Sequence, residues 1–135
     1  MNNAWILLVG RVLFALFFIM SGYNHLTKLN MMAQYAGSQG MPAPTLAVAV
    51  SGVMLLVGGL SILLGYQVRW GALVLFVFLV TAAVTMHKFW GVADPMMAQN
   101  QFIHFWKNMV MAGATLIIYY YATLHPEPWP YSLGK

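Results

Sequence analysis

The stretch GYQVRW, residues 65–70, stands between two apolar runs, 45–65 and 69–88. Each run is long enough to carry a helix across roughly 30 Å of hydrocarbon, which takes about 20 residues. Gly65 is a natural helix stop and Arg69 belongs among lipid headgroups, so the stretch reads as a tight turn between two membrane-crossing helices. Only helices and closed barrels satisfy every backbone hydrogen bond in lipid, and runs this long and uniformly apolar are not barrel strands.

Two further runs lie outward from this hairpin, at 4–24 and 102–124. The expected fold is therefore all-α, one domain over 1–135: an integral membrane bundle of four antiparallel transmembrane helices. The first run reads as a retained helix rather than a signal peptide, because Arg11 lies inside it and no small-residue cleavage site follows at Tyr23, Asn24 and His25. The two longer links, 25–44 and 91–101, each carry a Met-Met-Ala-Gln tetrapeptide with Pro or Gly punctuation, which suits chain lying in the interface and a short helix near 29–37. Four crossings place these links on one side of the membrane, and the termini and the Arg69 turn on the other. The tail HPEPWPYSLGK, 125–135, has three prolines and cannot continue a helix.

Composition points the same way. Only 6% of residues are charged and 61% are hydrophobic, against about 25% charged in a soluble domain; the lipid bilayer is the expected surrounding. Cysteine is absent, which excludes disulfides, thiolate catalysis and cysteine-ligated metals. The net charge of +4 is spread without the basic stripe that nucleic acid requires. Lys28, Lys88 and Arg69 read as interface anchors, and Trp5, Trp70, Trp90, Trp106 and Trp129 as an aromatic belt. Gly52, Gly58, Gly59 and Gly113 read as close-packing points between helices.

The chemistry gathers around FIHFWKNM, 102–109. His104, Lys107 and Asn108 stand at i, i+3 and i+4 and share a helix face, while the topology brings His25 and His87 to the same side. These five residues are the expected polar pocket just inside the membrane. Lys107 reaching out to the headgroups is the competing arrangement. Arg11 lies about 10 Å into the first helix from the termini side; an ionisable group at that depth is costly enough to count as a further ligand-binding candidate. The only acids, Asp94 and Glu127, are in loops, so three histidines on three helices do not compose a metal site. Two of them on facing helices would satisfy a haem, though nothing demands one. A quinone suits the donors better, since its carbonyls need His, Lys, Arg, Tyr or Asn at the end of an apolar cleft.

Taken in order, GRVLFALFFIMSGYNHLTKL, YAGSQGMPAP, SGVMLLVGGLSILLG, TMHKFW and KNMVMAGATLII resemble the DoxX family of small four-helix bacterial membrane proteins, over about residues 10–122. The resemblance picks out Arg11, Gly22, His25, Lys28, Pro42, Gly59, His87, Lys107 and Asn108 as recurrent positions. That family takes its name from a subunit of a thiosulfate:quinone oxidoreductase, and other members are linked to thiol and oxidative-stress systems. It implies a multi-pass protein of the bacterial inner membrane, a quinone- or lipid-binding subunit associated with a membrane oxidoreductase system and its partner subunits. The other reading is a non-catalytic scaffold or assembly factor that anchors partner proteins. One departure stands out: many members carry a glutamate in the second helix, where this chain has Leu55. With Arg11 and Lys107 set aside as intramembrane, the termini side leads by one positive charge, which favours cytoplasmic termini.

Overall fold

Five helices account for most of residues 3–134, the part of the chain that the computed structural model describes. They are α1 Ala4–Thr27, α2 Leu29–Ser38, α3 Pro44–Leu64, α4 Val68–Met86 and α5 Pro95–Leu124. Local sequence explains their ends. Pro44 opens α3 at its first helical position, where a missing N–H costs nothing. Gly65 closes it at φ 66, and the pairs Tyr66 N–H to Ser61 O (3.0 Å) and Gly65 N–H to Ile62 O (3.3 Å) complete a Schellman turn. α5 starts on Asp94-Pro95, where the Asp94 carboxylate accepts from Met97 N at 2.8 Å. That start lies seven residues ahead of the expected 102, because the cap and the proline begin a helix before the apolar run does. α2 occupies the link after α1, with only Lys28 between them.

By length and composition, α1, α3 and α4 are each apolar enough to cross a membrane. α5 is longer, at 30 residues, but Lys107, Asn108 and the Tyr119–Tyr121 run interrupt its apolar character.

α3 is the central element: α1 packs along one side of it, α4 along another, and α2 rests against it, while α5 packs on α4. The adjacent glycines of α3 divide the work. A Cβ on Gly59 would meet Ile19 N at 3.2 Å and Ala15 O at 3.3 Å on α1, whereas one on Gly58 would meet Gly71 O at 3.1 Å on α4. Gly22 and Gly52 continue the α1–α3 seam, with Arg11 meeting residues near Leu63 and Gly22 meeting Gly52 and Leu56. Contacts thus climb α1 as they descend α3. Small residues bring backbones close where lipid supplies no hydrophobic drive for helices to associate. Gly113 differs from its expected role, since a Cβ there would touch nothing within 4 Å.

Ala15, Phe18, Leu55, Ile62, Leu75, Leu79 and Ala112 form the buried centre. Leu55 is fully buried, so hydrocarbon fills this position at the centre of α3. Outside, large apolar side chains such as Leu13, Met20, Leu46, Val77, Val110 and Ile117 are exposed, as a lipid-facing surface requires. Trp5, Trp70, Trp90 and Trp106 are also exposed, but Trp129 is only 8% exposed and packs into the core. It belongs to the interior and not to the aromatic belt.

Candidate functional site

The corner between α4 and α5 gathers polar side chains from three helices. α4 stops at Met86, Gly91 turns the chain at φ 76, and α5 begins at Pro95. Phe89 locks the corner by meeting Phe102 and Phe105 edge-on, at centroid distances of 5.1 and 5.3 Å. His87 and His104 are thereby stacked, 5.2 Å apart with their planes 26° from parallel.

The early start of α5 puts Gln101 on the same helix face as His104 and Asn108, at i, i+3 and i+7. His87 Nδ1–H donates to Gln101 Oε1 at 2.9 Å, and Gln101 Nε2 reaches Tyr35 Oη on α2 at 3.5 Å. Gln101 is an acceptor at that oxygen, so His87 holds its proton on Nδ1 when neutral and presents Nε2 as a lone pair. Sequence reading missed both Gln101 and Tyr35. Gln101 lies just outside the apolar run 102–124, although the Asp94-Pro95 start signal includes it in the helix. Tyr35 carries no signal of its own, because its partner lies 66 residues away.

The other expected pocket residues have different surroundings. His25 donates from Nδ1 to Ser21 O at 2.8 Å, one turn back on its own helix, and meets Phe78 edge-on at 6.1 Å. It lies partly buried among α1, α3 and α4. Asn108 is half-buried, whereas Lys107 is exposed and shares an outward stripe with Ile103 and Val110. Among the described residues, no hydrogen bond ties His25, Lys107 or Asn108 to the stacked pair. No group of three His, Asp or Glu side chains among those residues could hold a metal ion.

Arg11 is the furthest from that cluster. It stands 14 positions before His25, roughly 21 Å along the helix at 1.5 Å per residue, and is 3% exposed. Its guanidinium meets the last turn of α3 and the chain's tail. Nε donates to Ile62 O at 3.0 Å and Nη2 to Leu63 O at 2.5 Å; Nη1 donates to Pro130 O at 2.8 Å and Nη2 also to Tyr131 O at 3.3 Å. Leu133 N–H donates to Leu64 O at 2.9 Å. Together with the Schellman pairs, every carbonyl from Ser61 to Leu64 is satisfied, and the positive charge sits at the negative end of the α3 dipole. This explains how an arginine is buried with no carboxylate: its three nitrogens donate to four carbonyls. Arg11 thus gathers carbonyls of α3 and the tail towards the other end of α1, away from the histidine pair.

Two hollows flank these features. One of about 280 Å³ lies between the α3–α4 turn, the end of α5 and the tail, lined by Arg69, His125 and Trp129 among others. The other, about 430 Å³ and wide open, lies between α2 and the start of α3, lined by Asn30, Ala33, Gln34, Gly37, Pro44 and Thr45. Neither contains the stacked histidines.

The DoxX family model matches residues 6–88, more than half of the chain, from α1 to the His87 corner. Inner membrane protein YphA of Escherichia coli (strain K12) is 32% identical over 113 residues, covering 84% of this chain and 80% of that protein. No solved structure matches this chain. The extent of the family match and the identity to a full-length relative, on a chain with three helices fit to cross a bilayer, make this an integral membrane protein that belongs to the DoxX family.

Proposed function

We propose that this chain crosses the bacterial inner membrane four times as an antiparallel bundle, and that the cluster of His87, Gln101 and His104 binds the polar head of a quinone for a membrane oxidoreductase system. The observation that carries this reading is the His87–His104 stack, with His87 fixed by Gln101. Stacked rings offer a face to a planar ligand; a ring N–H of His104 would donate to a quinone carbonyl, and His87 Nε2 would accept from the O–H of the reduced quinol. The opposing runs of contact along α1 and α3, and the joining of the α4 end to the α5 start, support alternating crossings. The name of the Escherichia coli relative supports the inner membrane. A lipid headgroup is the other ligand for the same donors, and Lys107, facing outward, suits a lipid phosphate beside them.

Organic extraction of protein purified in mild detergent tests this reading. A quinone is expected at close to one per chain, and His104→Leu is expected to lose most of it while the helical circular dichroism stays unchanged. A chain that extracts clean, or an H104L variant that retains its quinone, overturns the proposal.

A second reading, a non-catalytic scaffold, is favoured by Arg11: the one buried charge of the described spans is spent wholly on the chain's own carbonyls. Partner chains that co-purify with ligand-free protein would choose it. Orientation follows the charge balance, with both termini cytoplasmic. A reporter fused after Lys135 is expected to behave as cytoplasmic, and periplasmic activity would reverse the assignment.

A further inference from the structure

The tail after α5 is not a loose end. Trp129 fills the core edge-on to Tyr121 at 5.4 Å, and the next two residues place their carbonyls on Arg11, across 119 and 120 positions of sequence. Yet it has little structure of its own. Pro126, Pro128 and Pro130 have no N–H to donate, Tyr131 sits at φ 57, and Tyr131 and Leu133 are exposed. We infer that residues 125–134 form a latch, a strap that Arg11 holds shut over the cavity between the α3–α4 turn and the end of α5, and that this strap is separable from the helical core.

The bonding pattern gives the reason. Of the four carbonyls that Arg11 serves, two belong to the tail, and Ile62 O keeps its bond from Gly65 N–H when the guanidinium is gone. Without Arg11 the closed strap would leave Pro130 O and Tyr131 O, both partly covered, without their donor, a cost that water removes once the strap lifts. The helices lose far less, since Leu63 O lies at the helix end and is hydrated by the same opening. Closure is also imperfect in its packing. Ser132 Oγ is buried without a partner, and Ser132 Cβ lies so near Gly65 that a side chain there would collide with it. The strap supplies half of the cavity's wall, through His125, Pro126, Glu127, Trp129 and Gly134, so its release opens that space and uncovers the seat of Trp129.

The absence of native cysteine makes the test direct. Ser132→Cys places a thiol on the inner side of the strap, where Ser132 Oγ is buried, and Thr115→Cys places one at a fully buried position of α5. Each is made with Arg11 present and with Arg11→Met, and the rate of maleimide labelling is followed in detergent. The expected result is at least a tenfold faster reaction at position 132 in the R11M background, with position 115 as slow as before. Slow labelling at 132 in R11M would show that Arg11 does not hold the strap. Fast labelling at both positions would show that the tail is inseparable from the core, and either outcome overturns the inference.

Discussion

Gly22→Val is expected to destabilise the helix bundle by about 3 kcal/mol, at the upper end of ordinary overpacking costs. Even the first carbon of a side chain at this position would sit 2.8 Å from Gly52 O and 2.9 Å from Leu56 N. Both are backbone atoms in the middle of a helix, so no rotamer change relieves the clash and α1 must move off α3. The movement costs more than local strain. Gly59 and Gly52 depend on the same close approach, and in lipid this contact is what holds two apolar helices together. Gly113→Ala is the matched control: with nothing within 4 Å of the added carbon, its effect should stay within about 0.5 kcal/mol. Thermal unfolding in detergent compares them. Equal midpoints for G22V and the parent would mean that the α1–α3 seam is looser than its glycines require.

The parts of this fold legible in the sequence are those governed by one-dimensional pattern. Runs of apolar residues mark α1, α3 and α4, and Gly65 marks the turn because one residue's backbone preference decides it. The double glycine of α3 announces close packing for the same reason, though Gly113 shows that a small residue is no proof of a neighbour. α5 was legible only in its apolar part. Its first two turns carry Gln99, Asn100 and Gln101, which a hydropathy reading leaves in a loop, even though Asp94 and Pro95 spell out a helix start.

What could not be read is what depends on partners distant in sequence. Three prolines told that the tail is no helix, but not that Trp129 turns inward. Arg11 looked like a functional group because a lone arginine in an apolar run is costly, and the remedy, four carbonyls on two segments more than 50 residues away, leaves no mark in composition. The candidate site divides along the same line. Antiparallel reasoning brought His87 and His104 to one end, and they stack there. His25 was assigned to the same end by the same reasoning, but its ring bonds back to Ser21 and meets Phe78 rather than joining them. Lys107 followed His104 by one helical turn, yet the 100° step between successive residues turns it towards Ile103 and Val110.

That division yields the sharper test of the proposed site. Gln101→Leu is expected to weaken binding of the quinol form of a water-soluble short-chain benzoquinone about tenfold, or roughly 1.4 kcal/mol, while Lys107→Leu changes it less than about twofold, roughly 0.4 kcal/mol on the same scale. Within the proposed cluster Gln101 acts chiefly through His87. Its oxygen fixes the proton of His87 on Nδ1 and so keeps Nε2 facing the ligand as an acceptor; leucine at 101 leaves that N–H without a partner in a partly buried corner. The imidazole then turns or changes tautomer, and the stack with His104 loses its fixed plane. Gln101→Met has nearly the same size but no acceptor for that N–H, so it should bind as weakly as Q101L, whereas a purely steric role for the side chain would restore the affinity. Lys107 stands on the exposed stripe with Ile103 and Val110, and no hydrogen bond among the described residues ties it to the stacked pair, so its loss is expected to leave the His87–Gln101 bond in place. Titration of the three variants decides between the two residues. If Q101L binds like the parent and K107L does not, the ligand sits outside α5 at headgroup level, and the histidine stack is packing between α4 and α5.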